Sequence, residues 1–415
     1  MIIAMLGFGN VGSRFYSEIT ENHQGIGVKK ALVRDTGKPR GVNVPPLTAD
    51  FSTIVNDPEI ETVVDVTAGE GSIGYIGELL SAGKNVVTAN KLAVARAGSG
   101  FIRQAAARGV NFYFEACVGG GIPVINLFGE NVRVHRIRKV SGILNGTTNF
   151  ILTRMSDDGM EFSGALKLAQ EKGFAEPDPT FDISGLDSLY KTAILKDLLF
   201  DAPAGLDGAF CQGIEKLSKV DLDYAASIGC GIRLVGYVEM SEEGVEFGVR
   251  PVFLPRNHPL VSVKNEFNAI FIEGDPIGEI MLFGRGAGAG PTTASLVSDV
   301  LRISRGEKKF NTSYALSSVK RNVISGNDRM VKGYIRMKVL DVPGVVSHIT
   351  GVFEKHGVSI SSMKQAISLE GKPVDLIFTT HEARTGTLAG MLAEISGFEF
   401  MIEPPVWFKM DGDKE

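Results

Sequence analysis

Short, nearly uninterrupted apolar runs alternate with amphipathic stretches through residues 1–123: IIAML, a helical pattern from about residue 10, KKALV, ETVVDVT, a helical pattern over 73–82, and NVVTA. Continuous apolar runs suit strands covered on both faces, and strand–helix–strand alternation at this spacing predicts βαβ units around a parallel sheet. A doubly wound domain follows. From 124 to 283 the pattern changes to helices over 163–172 and 186–200 interleaved with long alternating strands, RLVGYVEM, VEFGVRPVFL and NAIFIEG. Alternation of apolar and polar positions marks strands with one polar face, so this part is expected to be α+β, a mostly antiparallel sheet with helices on one side.

GRGAGAG at 284–290 leads into a helical run over 291–303, and the Asn-, Ser-, Lys- and Gly-rich stretch 305–328 is expected to be a linker. Residues 333–404 read strand YIRMKVL, a turn at Asp341, Pro343 and Gly344, helix 345–356, strands VSISSMKQAI and VDLIFTT, helix 387–395 and strand FEFMI. That order, βαββαβ, is the ferredoxin-like arrangement.

Composition narrows the function. The 415 residues carry a net charge of -5, with 44% hydrophobic and 22% charged residues, which suits a mildly acidic globular chain of two or three domains. A negative total disfavours a nucleic-acid partner, and no apolar run reaches the roughly 18 residues of a membrane span. Met1 to Leu6 lack a basic flank and run straight into Gly7, so they read as a first strand and not as a signal peptide, and a cytoplasmic protein is expected. Cys117, Cys211 and Cys230 are too few and too scattered for a disulfide framework. The six histidines show no ligand spacing, so no transition-metal site is expected.

Gly7-Phe8-Gly9-Asn10-Val11-Gly12 is a G-x-G-x-x-G directly after an apolar strand and at the opening of a helix. Gly7 permits the tight turn, Gly9 lets a pyrophosphate approach the backbone, and Gly12 lets helix and strand pack closely, while the helix start offers free N–H groups to phosphates. This is the Rossmann fingerprint for a dinucleotide; a turn without a ligand is the alternative. At the end of the second strand stand Arg34 and Asp35, with Lys38 and Arg40 close by. An acidic residue there would bind the ribose of NAD(H), an arginine the 2′-phosphate of NADP(H), and the local positive surplus favours NADP(H). Two more strand ends carry polar residues, Asp65-Val66-Thr67 and Thr88-Ala89-Asn90-Lys91, and a lysine at that edge faces the nicotinamide half of such a site. Glu176, Asp178, Asp182 and Asp187 cluster around Pro177 and Pro179, and Lys191 lies one helical turn beyond Asp187. Exposed, that i,i+4 pair is worth only about 0.3–0.5 kcal/mol; buried, it could bind an ammonium and set the proton affinity of a lysine.

Taken together, GFGNVG, VVDVT, NVVTANK, EACVGGGIPVI, SGILNGTTNFIL, GFAEPDPTFDISGLDSLYK and GRGAGAGPTTAS closely resemble homoserine dehydrogenase, in family order over about residues 1–305. The C-terminal segment resembles an ACT domain, an amino-acid-sensing module. The resemblance implies reversible hydride transfer between L-homoserine and L-aspartate 4-semialdehyde, on the route to methionine, threonine and isoleucine, with a small-molecule substrate and a homo-oligomer, dimer or tetramer. It makes Lys191 the acid/base lysine, Lys91 the lysine touching cofactor and substrate, Glu176 the ligand of the homoserine amino group, and Asp182 and Asp187 the rest of the carboxylate set, beside Thr147. Thr67 and Gly290 fall at cofactor-contacting positions. A sodium ion on backbone carbonyls at Glu115, Val118, Gly120 and Ile122 is also implied, as is threonine as an ACT effector at the 341–344 turn.

The expected domains are a dinucleotide-binding unit at 1–123 with 286–315 returning to it, a substrate unit at 124–285, and the ACT unit at 331–405; a chain ending near 327 is expected to keep activity and lose regulation. Two competing readings have less support. A semialdehyde dehydrogenase forming an acyl phosphate needs a cysteine opening a helix, and none has that setting. A non-catalytic amino-acid sensor would have no use for Lys91, Glu176, Asp187 and Lys191 together.

Overall fold

The computed structural model describes residues 1–41, 43–128, 136–307, 321–326, 329–365 and 372–411. Its first layer is a parallel sheet of β1 (Ile2–Leu6), β2 (Gly27–Leu32), β3 (Leu47–Thr48), β4 (Thr62–Asp65), β5 (Asn85–Thr88) and β6 (Phe112–Tyr113), in the order β3-β2-β1-β4-β5-β6. The chain winds one way from β1 to β3 and the other way from β4 to β6, so the topological switch point lies between the carboxyl ends of β1 and β4. Alternation along β1 turns Ile3 and Met5 into one apolar cluster with Phe15 and Ile19 of the Asn10–Asn22 helix and Leu296 and Val300 of the Ala289–Ser304 helix. Ala4 and Leu6 point the other way, into the cluster that holds Ile76 and Leu80 of the Ile73–Ser81 helix and Ala93 of the Lys91–Arg108 helix. The Ala289–Ser304 helix, which follows GRGAGAG, thus packs on the first sheet beside the Asn10–Asn22 helix.

A second, longer sheet contains β7 (Ile137–Ile143), β8 (Phe210–Cys211), β9 (Cys230–Met240), β10 (Val245–Pro255), β11 (Phe267–Gly274), β12 (Gly278–Arg285), β13 (Met330–Leu340), β14 (Ile360–Gln365), β15 (Pro373–Arg384) and β16 (Val406–Met410). Its order is β12-β11-β7-β9-β10-β16-β13-β15-β14, with β8 added on β10. The Gly146–Asp157 and Leu186–Phe200 helices pack on the face made by β9 and its neighbours. Within β13–β16 the order is that of a ferredoxin-like unit, but this unit does not stand apart. β16 pairs antiparallel with β13 and parallel with β10, with Val252 opposite Lys409 and Phe253 opposite Met410, so one sheet runs through substrate and ACT units.

The strand expected at FEFMI is not formed. Residues 398–401 turn, with a single bridge from Met401 to Val339, and the rings of Phe398 and Phe400 stack at 5.0 Å. The pairing potential of the last strand falls instead on Val406–Met410, beyond Pro404 and Pro405. Most of the expected linker, and the returning segment past 307, lie outside the described residues; within it, Arg321 N–H donates to Asp201 O at 3.0 Å and Val323 bridges to Val245, so 321–323 follow the substrate unit. Among the described residues no helix is long and apolar enough to cross a membrane.

Candidate active site

The glycine motif is built as a phosphate cradle. Gly7 leaves β1 at φ +90°, and a Cβ at Gly12 would meet Val66 Cγ2 at 3.1 Å and Gly7 O at 3.2 Å, so the helix sits against the end of β4. Gly9 faces open space, with no atom within 4 Å of the position a Cβ would take. The Asn10–Asn22 helix that follows has no side-chain cap, which leaves its first N–H groups free for an anion. Phe8 is buried against Tyr16, whereas Val11 lines the cleft.

Beside this cradle, Asp65 fastens the switch point. Thr67 donates to its Oδ1 through both N–H (3.0 Å) and hydroxyl (2.6 Å), and Thr88 donates to its Oδ2 at 2.9 Å. Burial pushes the Asp65 carboxyl up and these donors oppose the rise, so the group serves to fix Thr67 in the wall. Asn90 caps the helix that Lys91 opens, accepting from Ala93 N–H and donating to Ser72 Oγ at 2.8 Å. Arg34 is exposed just beyond the end of β2, outside the cleft lining. Asp35 Oδ1 accepts the Gly37 N–H at 2.8 Å and Arg40 donates to the main-chain O of Asp35 at 2.6 Å, so Asp35 takes part in its own turn.

Between the two sheets lies a cleft of about 750 Å³, into which the structure brings Val11, Thr67, Lys91, Gly120, Thr147, Glu176, Asp182, Asp187 and Lys191. Asp187 and Lys191 form the buried version of the i,i+4 pair: Lys191 Nζ donates to Asp187 Oδ2 and to Leu144 O, both at 2.7 Å, and Lys91 Nζ stands 3.1 Å from Asp187 Oδ1. Burial alone would raise the Asp187 carboxyl, but the ammoniums of Lys191 and Lys91 outweigh it and hold it at about 2. Among the described residues no cation stands at contact distance from Asp182. Burial and the neighbouring Asp187 push its carboxyl up, while Asn145 (2.7 Å) and Thr147 (3.0 Å) donate to it and moderate the shift.

Asn145 is the residue that the sequence pattern did not single out. Its Oδ1 accepts Thr148 N–H at 2.8 Å, capping the Gly146–Asp157 helix, which turns its Nδ2 toward Asp182 Oδ1 and Asp187 Oδ2 (2.9 Å). An Asn directly before a helical pattern is a readable cap signal; that the other end of the amide joins two carboxylates is not. Glu176 is exposed at the rim, and Asp178 is taken up capping Thr180 N–H at 3.1 Å.

Of the four residues expected to offer carbonyls to a cation, Glu115, Val118, Gly120 and Ile122, Gly120 is the one in the cleft lining, where Ala116 and Cys117 join it. The Glu115 side chain is buried and caps the Val124–Phe128 helix, accepting from Ile125 N–H at 3.0 Å and Asn126 N–H at 2.5 Å, so only its carbonyl could serve a cation. Gly120 accepts from Ser295 Oγ at 2.6 Å and has φ +57°; a Cβ there would stand 2.6 Å from Gly286 C, which is why two glycine-rich segments cross here. Val118 and Ile122 are buried in the main core. Gly290 opens the returning helix near Arg14, outside the main cleft. Cys117 is buried, its Sγ 3.4 Å from Thr88 O and its thiol pushed well up by burial, the setting of a packed residue. Among the described residues no cluster of three or more His, Cys, Asp or Glu could hold a metal ion.

A nucleotide cradle at a sheet switch point, facing a lysine–carboxylate cluster carried on helices, defines a dinucleotide-binding enzyme with a ferredoxin-like unit joined to its second sheet. Three family profiles match in series: homoserine dehydrogenase, NAD binding domain (7–115), homoserine dehydrogenase (123–301) and ACT domain (333–399). A homoserine dehydrogenase from Synechocystis sp. is 38% identical over 97% of this chain and 98% of its own. The crystal structure of a homoserine dehydrogenase from Thiobacillus denitrificans superposes with a TM-score of 0.86 at 31% identity, covering 99% and 98% of the two chains. A hyperthermophilic archaeal homoserine dehydrogenase in complex with NADPH covers 74% of this chain and 99% of its own, at 26% identity and a TM-score of 0.64. The chain belongs to the homoserine dehydrogenase family.

Proposed function

We propose that this chain interconverts L-homoserine and L-aspartate 4-semialdehyde with NADP(H) in preference to NAD(H), and that Lys191 moves the proton. The observation that carries the reading is Asp187, buried and bonded to both Lys91 and Lys191 opposite the glycine cradle. When bound, the nicotinamide supplies or accepts the hydride. Gly7, Gly9 and Gly12 with the free helix start fit its pyrophosphate. In aldehyde reduction a Lys191 ammonium gives its proton to the carbonyl oxygen, and in alcohol oxidation the same amine takes it back. Asp187 and Leu144 O aim that nitrogen, and Lys91 braces the same carboxylate from the cofactor side. Glu176, with Asp182 and Thr147 behind it, receives the substrate ammonium.

The preference for NADP(H) rests on Arg34, exposed where a 2′-phosphate would lie, and on the engagement of Asp35 within its own turn. The relative whose structure contains NADPH points the same way. The carbonyls of Glu115, Val118, Gly120 and Ile122 are the all-oxygen donors that suit a sodium ion. We further read the protein as a cytoplasmic homo-oligomer, dimer or tetramer, acting on the route to threonine, methionine and isoleucine. The ACT unit would respond to threonine at the 341–344 turn, where Gly344 (φ +90°) opens the Val345–Lys355 helix without a side-chain cap.

Initial rates with L-homoserine and either nucleotide, followed by the absorbance of the reduced nicotinamide, test the reaction; no turnover with either would refute it. Arg34→Ala is expected to weaken NADP binding much more than NAD binding in calorimetric titrations, because only NADP loses a charge-assisted contact. Equal losses would leave Arg34 as a loop residue only.

A further inference from the structure

Asp182 and Asp187 share one amide, and the hydrogens between them can be counted. Thr148 N–H donates to Asn145 Oδ1 at 2.8 Å, and since a backbone N–H only donates, that contact fixes which end of the carboxamide faces the carboxylates. Asn145 Nδ2 spends its two hydrogens on Asp182 Oδ1 at 2.7 Å and Asp187 Oδ2 at 2.9 Å. Asp187 has two further donors, Lys191 Nζ 2.7 Å from Oδ2 and Lys91 Nζ 3.1 Å from Oδ1, and stays ionised. Among the described residues Asp182 Oδ2 has the Thr147 hydroxyl alone, at 3.0 Å, and that same hydroxyl lies 2.6 Å from Phe174 O.

A hydroxyl carries one hydrogen. Phe174 O brings none, so its 2.6 Å contact is a hydrogen bond only when Thr147 donates to it. If that hydrogen goes to an ionised Asp182 instead, hydroxyl and carbonyl face each other lone pair to lone pair. A proton on Asp182 Oδ2 satisfies both contacts: Oδ2 donates to Thr147 Oγ1, and Thr147 donates to Phe174 O. The surrounding charges favour the same form. Asp187 and Lys191 face Asp182 from the catalytic helix, Lys91 from the cofactor side, Glu176 and Asp178 from its own loop, and Glu266 and Arg285 from across the cleft. Those are four carboxylates against three cations, so ionising Asp182 deepens a negative surplus. Burial and then Asp187 push its carboxyl up, with Asn145, Thr147 and Lys191 opposing the rise.

We propose that Asp182 holds a proton on Oδ2 until the substrate ammonium arrives and then releases it to solvent, so that substrate binding and the loss of one proton are a single event. The proposal rests on the reading that Glu176, with Asp182 and Thr147 behind it, receives that ammonium. An ammonium has three N–H donors and no acceptor, so an acid O–H is the wrong neighbour for it and a carboxylate the right one. The Asp182 O–H bond breaks, the proton leaves to water at the rim where Glu176 is exposed, and the ammonium supplies the positive charge that the proton removes. Asp187, held ionised by two lysines, takes no part in the exchange and keeps Lys191 aimed throughout.

L-Homoserine titrated into the full chain saturated with reduced nucleotide forms a complex that cannot exchange a hydride, and calorimetry in buffers of low and high protonation enthalpy counts the protons released. Between about pH 5 and 8, release is expected to approach about one proton per chain at the acidic end and to fade as pH rises, and where one proton leaves, Kd should fall about tenfold per pH unit. Asp182→Asn, whose amide can donate to Thr147 as the acid does, should bind with no release and a nearly pH-independent Kd. Glu176→Gln should bind more weakly and keep the release. Should Asp182→Asn fail to fold, infrared difference spectra of the unmodified chain decide alone: L-homoserine should remove the C=O stretch of a protonated carboxyl, and isotope-labelled aspartate should shift the band that is lost. Binding without proton release, release that survives in Asp182→Asn, or a lost band unmoved by labelled aspartate would each overturn the proposal while leaving the dehydrogenase reading intact. A chain that neither binds nor oxidises L-homoserine would refute that reading, and the proposal with it.

Discussion

Asp187 accepts from two ammoniums and an amide while shut away from water, and single substitutions around it separate proton transfer from stability. Lys191→Ala is expected to lower kcat by about 10²-fold or more, the usual scale for a lost acid/base group, with nucleotide affinity unchanged because the glycine cradle is intact. A near-normal kcat would remove Lys191 from the chemistry. Asp187→Asn acts differently. Since the folded carboxyl titrates at about 2 against an ordinary 3.8, its ionisation stabilises the fold in full above about pH 4, and that contribution is lost as pH falls through about 2. The Asn variant is expected to melt lower at pH 7, with two lysines left beside a neutral amide, and to show a flatter decline of Tm between pH 4 and 2. Parallel melting profiles through that window would contradict Asp187 as the charge anchor. Asp182, raised by burial and by Asp187, works in the opposite sense, so Asp182→Asn should not reproduce the flattening.

At the scale of elements, the catalytic helix owes its position to the residue before it. Gly185 has φ +84°, and a Cβ there would meet Val249 Cγ1 at 3.2 Å and Gln212 O at 3.5 Å. Gly185→Ala therefore combines a left-handed backbone with a contact against β10, a loss of about 1–3 kcal/mol, and should move Asp187 and Lys191 together. Thermal unfolding beside steady-state kinetics checks this: Tm and kcat are expected to fall in the same variant, and a normal kcat with a lowered Tm would mean that the helix start tolerates the shift. Such elements were legible from the sequence where one signal dominated. The strand–GFGNVG–helix unit and the 186–200 and 291–303 helices rest on apolar runs and helical spacing, whereas the packing of the 291–303 helix on the first sheet was implied only by the family resemblance at Gly290. FEFMI and VWFKM both alternate at period two, and local pattern cannot choose between them. Packing does: Phe398 and Phe400 stack on each other beside His348, whereas Val406 and Phe408 are buried in the main core. The buried state of the Asp187–Lys191 pair was likewise invisible, because an i,i+4 spacing reads the same on a solvated face.

Across the whole molecule, the continuous sheet reverses what the domain pattern implies for truncation. Between β10 and the ACT unit, Tyr334 stacks on Phe253 with ring centroids 4.6 Å apart, and its hydroxyl donates to Asp221 Oδ1 at 2.7 Å. Arg336 Nε donates to the same oxygen at 2.8 Å and its Nη2 to Lys216 O at 3.0 Å, with Asp221 wholly buried. A chain ending near 327 loses all of these partners together with β16, and bares the edge of β10 at Val252 and Phe253. An exposed apolar edge strand invites pairing with other chains. Such a truncation is therefore expected to melt lower and to aggregate, losing activity through instability as well as regulation. Arg336→Leu isolates the polar part of this joint. It leaves the buried Asp221 carboxylate without its cation, a loss of about 3–5 kcal/mol for a broken buried pair, while the ACT unit itself remains. Thermal melts and light scattering on both proteins, at equal concentration and pH 7, measure the outcome. A truncated chain that stays monodisperse with unchanged Tm and full homoserine oxidation would show that β16 merely rests on β10, and that the substrate sheet is complete without it.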